Sequence, residues 1–102
     1  MSTLHIVNKS PFERSALRSC IDHLRAGDAI LLTEDAVLAA RKGSLAEELL
    51  QEVLKACAVF GLGPDLTARG IKTGDMFAAV RLVDYGGFVD LVTQYQRTHA
   101  WL

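Results

Sequence analysis

"DAILLT", residues 28–33, is a near-continuous apolar run that follows a glycine and precedes the acidic pair Glu34 and Asp35. A strand with one wet face alternates apolar and polar residues. A run without alternation belongs to a strand covered on both faces, as the strands of parallel sheets are. "ACAVFGL", residues 56–62, has the same character. Two such strands, separated by helical sequence, predict a parallel sheet sandwiched between helices.

Outward from these strands the punctuation is regular. "LHIV", Leu4 to Val7, is a short β-prone segment. Ser10, Pro11 and Glu13 form a capping box with proline at the first helical position, and the helix runs to about Leu24, with Gly27 as its stop. "EDAVLAAR" reads as a short helix, and Ser44 with Glu47 makes a second capping box opening a helix over Leu45 to Lys55. "GPD" turns the chain into a short helical segment that ends near Arg69 and Gly70. "AAVRLVDY" reads as a strand, with a helix over "DMFAAVRL" as the alternative, and "GGFVDLVTQYQR" as an amphipathic helix with Phe88, Leu91, Val92 and Tyr95 on one stripe. The tail "HAWL" carries Trp101 and Leu102, which predicts a short edge strand or a docked tail. Strands alternating with helices predict an α/β fold: a single domain over residues 1–102, with a parallel sheet of roughly four to five strands, helices on both faces and the flavodoxin-like order 2-1-3-4-5.

Composition narrows the function classes. Of 102 residues, half are hydrophobic and 23% are charged, enough for a core without disulfides. The formal net charge is −1 and the basic residues are scattered, which argues against nucleic acid or an anionic membrane as partner. The opening "MSTLHIVNKS" lacks the pattern of a signal peptide, and no apolar run approaches the roughly 18 residues of a membrane span. The expected compartment is the cytoplasm, where thiols stay reduced. The apolar fraction is high for so small a chain, which supports a subunit interface.

Chemistry in this composition centres on sulfur. Cys20 shares a helical face with Ala16, Leu17, Ile21 and Leu24, so spacing places it on or beside the apolar stripe. A packed core thiol is the plain reading. The functional reading needs an exposed thiolate, with His23 at i+3 as the one polar neighbour able to favour it and Arg18 adding positive potential. Cys57, among Ala56, Ala58, Val59 and Phe60, reads as structural. Cys20 with His23 is only half of a metal site, and His5, His99 and Cys57 are isolated in sequence, so no metal is expected. "GLGPD", residues 61–65, sits where doubly wound folds hold phosphates. It lacks the third glycine of the dinucleotide fingerprint and any G-K-[ST], so it reads as a tight turn and no organic cofactor is expected. Asp84, in "DYGGF", lies at a strand's carboxyl end, but one carboxylate makes no mechanism.

"LHIVNKSPFERSALRSC", "LGPDLTARGI", "VDYGGFVDLV" and the closing "AWL" together resemble the DsrH subunit family, whose relatives include the TusB proteins. The resemblance runs nearly end to end, most strongly over residues 4–20 and 62–102. It implies a DsrEFH-type α/β fold and a cytoplasmic heterohexamer with DsrE-like and DsrF-like subunits. It also implies transfer of persulfide sulfur toward a DsrC-like carrier in dissimilatory sulfur oxidation. TusB-type relatives serve thiolation of tRNA wobble uridines instead. The cysteine of the family's first helix lines up with Cys20, which favours the sulfur-oxidation branch, while the principal sulfur-carrying cysteine is implied to lie in the DsrE-like partner. On this reading Cys20 is a candidate persulfide site, with His23 as thiolate stabiliser. Two competitors stand beside it: a non-catalytic architectural subunit of the same complex, and a free-standing small-ligand domain of flavodoxin-like shape.

Overall fold

The structure is a computed structural model and describes residues 2–10, 16–44 and 46–101. The apolar runs become the inner strands of one five-stranded sheet. Its strands are β1 (Thr3–Val7), β2 (Ala29–Leu32), β3 (Ala58–Leu62), β4 (Arg81–Val83) and β5 (Arg97–Trp101), and every pairing is parallel. All four residues of β2 are buried. Ile30 and Leu32 join Val7, Leu17, Leu50 and Val59 on one face, and Ala29 and Leu31 join Leu4 and Leu91 on the other.

The helices are α1, described over Ala16–Asp22, then a 3-10 helix at Glu34–Ala40, α2 (Glu47–Val53), α3 (Gly63–Ala68) and α4 (Tyr85–Gln94). The chain is thus of the α/β class, with helices on both faces of a parallel sheet. The strand order differs from the expected one: it is β4-β3-β2-β1-β5 rather than 2-1-3-4-5. Right-handed crossovers stepping in one direction put their helices on one face. The steps β1 to β2 to β3 to β4 do this, so α1, the 3-10 helix, α2 and α3 share a face and build the larger core. Only α4 crosses back, over the opposite face, and delivers β5 to the far side of β1.

That unequal division leaves marks on α4. Leu91 is buried and Phe88 and Tyr95 are half-buried against the sheet, but Val92 is not on this stripe. It is exposed, together with Tyr85, Val89 and Leu82. The helix opens on Asp84, whose carboxylate accepts the Gly87 N–H at 2.7 Å. A Cβ at Gly87 would lie 3.0 Å from the Val83 side chain, so the close approach of this turn to β4 requires the glycine.

Other boundaries shift for local reasons. β4 is three residues, because Ala78 and Ala79 lie in the preceding turn. The Ser44–Glu47 box does not form. The Ser44 N–H donates to the Arg41 carbonyl, its hydroxyl serves the Ala46 N–H, and α2 starts at Glu47. Pro11 and Glu13 of the first box lie outside the described residues, as do Leu45 and Leu102. Trp101 ends β5, an edge strand as the sequence predicts.

Candidate functional site

Helix α1 runs antiparallel to the strands, so its last turn arrives at the amino-terminal edge of the sheet. Ala16, Leu17 and Cys20 form its buried face. Cys20 has no solvent exposure and belongs to the larger core, with half-buried Ile21 and Leu24 packed against that core. Burial, with smaller contributions from the negative charge of Asp28 and the neighbouring Cys57, pushes the Cys20 thiol up to about 12. At pH 7 only about one molecule in 10⁵ would carry the thiolate.

His23 does not face this sulfur. It is exposed just past the end of α1, where its backbone N–H donates to the Cys20 carbonyl. Its Nδ1–H donates to the Ser19 carbonyl at 2.7 Å, since a carbonyl can only accept, and its ring lies 5.3 Å from that of Trp101. The structure therefore sends Cys20 into the core and His23 toward the edge strand. Arg18 lies 3.6 Å from Asp22 in an exposed pair. Cys57 is buried at the entry to β3, where its thiol donates to the Arg25 carbonyl at 3.3 Å and burial raises its pKa.

Around His23 the structure assembles residues that the sequence left apart. Parallel pairing sets His5 of β1 opposite His99 of β5, with ring centroids 6.1 Å apart. Trp101 reaches back and donates its indole N–H to His5 Nδ1 at 3.0 Å. An indole N–H is only a donor, so His5 carries its proton on Nε2 and donates it to Asp28 at 3.0 Å. Asp28 also accepts the backbone N–H groups of Thr3 and Arg25. Burial alone would raise its pKa, but the hydrogen bonds from His5, Arg25 and Thr3 outweigh it and hold the carboxyl below the usual aspartate value. This chain of bonds joins β5, β1 and the head of β2, and beside it opens a pocket of about 450 Å³ between the end of α1 and β5.

The signal for this pocket was the alternation Arg97, His99, Trp101 in the closing strand, matched by Thr3 and His5 in the first. Residues two apart on a strand share a face. Without knowing that β5 lies beside β1, the two sets could not be joined. Among the described residues, no three of His, Cys, Asp and Glu are grouped so as to hold a metal ion.

Residues 9–98 match the family model described as DsrH like protein. The chain belongs to the DsrH-like family. It is 32% identical over 99 residues to protein TusB of Pectobacterium parmentieri, covering 96% of this chain and 99% of that protein. It is 34% identical over 98 residues to protein TusB of Escherichia coli, with the same coverage. The crystal structure of the Escherichia coli ychN protein shares the fold, with a TM-score of 0.80 at 18% identity over 98% of this chain and 99% of that one. In this DsrH-like chain the family match includes Cys20, His23, Arg25 and Asp28, whereas His5, His99 and Trp101 fall outside its limits. No helix among the described residues is long and apolar enough to cross a membrane.

Proposed function

We propose that this DsrH-like chain is an architectural subunit of a cytoplasmic sulfur-relay heterohexamer, assembled with DsrE-like and DsrF-like partners. The sulfur-carrying cysteine belongs to the DsrE-like partner. The observation that carries this reading is the position of Cys20: a thiol with no exposure and a pKa pushed to about 12 is a poor nucleophile toward a persulfide on another protein. The exposed apolar residues Leu82, Tyr85, Val89 and Val92 support an assembled state, because a lone chain leaves them in water. The relay delivers sulfur to a DsrC-like carrier in sulfur oxidation, a branch favoured by a cysteine at position 20. Thiolation of tRNA wobble uridines is the alternative end use, favoured by the TusB relatives.

A second reading keeps Cys20 as a persulfide site. It is favoured by the thinness of the cover, since Ile21 and Leu24 against the same core are themselves only half-buried. In this reading partner docking lifts the end of α1. The Cys20 thiolate attacks the outer sulfur of a donor persulfide, the donor thiolate leaves, and the Cys20 persulfide later yields that sulfur to an acceptor thiolate. Reconstituting the complex with Cys20→Ala separates the two. The architectural role predicts unchanged sulfur transfer to the carrier, with transfer lost when the whole subunit is omitted. Loss of transfer in an intact Cys20→Ala hexamer would establish the second reading.

A further inference from the structure

We infer that the pocket between the end of α1 and β5 binds a small anion carrying a carboxylate or an inorganic oxyanion group. The inference does not depend on the sulfur-relay reading. It starts from topology: β5 is an edge strand paired with β1, and among the described residues the end of α1 meets it on one side without covering that face. That face carries Arg97, His99 and Trp101 in place of the aliphatic residues that line the inner strands. Uncovered sheet faces are normally flat, but here α1 and its following turn wall one side and leave a half-open cleft of about 450 Å³, within the usual range for small-molecule sites.

The charge of this pocket is opposite to that of the chain. The formal net charge of the protein is −1, yet Arg25 and Arg97 both line the pocket, and its one carboxylate is Asp28. Asp28 is 4% exposed and already accepts from Thr3, His5 and Arg25 backbone or ring N–H groups, so it is turned to the protein rather than to the cavity. Arg25 makes no side-chain ion pair among the described residues. A guanidinium presents a planar fork of donors that matches a carboxylate or oxyanion.

The walls are also held in place before a ligand arrives. The Trp101 indole is fixed by its bond to His5, and His99 lies 4.5 Å from it, centroid to centroid. His23 is held through Nδ1 by Ser19, which leaves its Nε2 for a ligand. Trp101 gives one apolar wall, suited to the carbon portion of an organic acid.

Trp101 is the only tryptophan in the chain, so its fluorescence reports directly on the pocket. Inorganic phosphate and sodium benzoate are titrated separately into the full chain at pH 7, with sodium chloride at matched ionic strength as reference. The expected result is a saturable change with at least one of the two anions. Saturation by phosphate alone identifies the inorganic oxyanion class, and tighter saturation by benzoate identifies the organic carboxylate class. Arg25→Gln should weaken binding roughly ten-fold or more, while Lys42→Gln, exposed on the β4 side of the sheet, leaves it unchanged. The indole N–H resonance in the nuclear magnetic resonance spectrum checks that each variant keeps the Trp101–His5 bond. Responses to both anions that match chloride would overturn the inference. So would saturable binding that survives Arg25→Gln in a variant with the indole bond intact.

Discussion

Cys20 and His23 are neighbours on one helix end and live in opposite media. Cys20 points into a core of Val7, Leu17, Ile30 and Val59 and has no exposure. His23, one turn on, stands in solvent at the mouth of a pocket built from the first and last strands. Reactivity follows medium rather than residue type. The thiol, the more nucleophilic group in water, is shut away and held protonated, whereas the imidazole is free to meet a ligand. A side-chain pair that looks like a nucleophile and its helper in sequence is divided by the fold into a packing residue and a pocket residue.

The two residues should differ most at alkaline pH. The folded state holds the Cys20 proton up to about pH 12, whereas an unfolded thiol releases it near 9. This contribution to stability is therefore intact below pH 9 and is lost as pH rises from 9 through 12, by roughly 4 kcal/mol at the end of that range. Urea unfolding at stepped pH should show a flatter alkaline limb for Cys20→Ala than for the native chain. Parallel limbs would mean that the thiol is not buried in solution.

Asp28 supports the pocket side of the comparison. Asp28→Ala leaves the Thr3 and Arg25 N–H groups and the His5 Nε2–H without their acceptor, and should cost about 3 kcal/mol. Its depressed pKa adds a pH signature. The stabilisation is present above the ordinary aspartate value of 3.8 and falls away as pH drops below it through the lowered folded value. Native and Asp28→Ala chains should therefore differ less in acid than at neutrality.

Smaller effects sharpen the contrast. Cys20→Ser places a hydroxyl in an apolar site and should cost about 2 kcal/mol. His23→Ala, at an exposed position, should stay within about 0.5 kcal/mol. Equal losses would erase the distinction between core and pocket. Arg18→Ala removes only an exposed i,i+4 pair and should cost about 0.3 kcal/mol by thermal unfolding.

These residues also show what the chain discloses before it is folded. The class of the fold was legible because "DAILLT" and "ACAVFGL" lack alternation, and two-sided burial leaves that mark on sequence. Strand order was not, because the return of α4 over the second face leaves no local trace. The side on which β5 joins the sheet is decided by long-range pairing with Thr3–Val7. The same ignorance hid the pocket: His5, His99 and Trp101 lie more than ninety positions apart along the chain at their extremes and meet only through the β1–β5 register. The apolar setting of Cys20, by contrast, was written in the helical spacing of Ala16, Leu17 and Ile21. Spacing could not say whether the sulfur sat at the margin of that stripe or beneath it.

The most direct test of the central claim is intact-mass analysis of this chain, drawn from the assembled complex after incubation with a persulfide donor, with native and Cys20→Ser subunits side by side. A closed core thiol predicts no sulfur added at position 20, so that the two spectra differ only by the exchange of sulfur for oxygen in the substitution itself. A gain of one sulfur mass on the native subunit that disappears in the serine variant would show the thiol open to a partner and contradict the account.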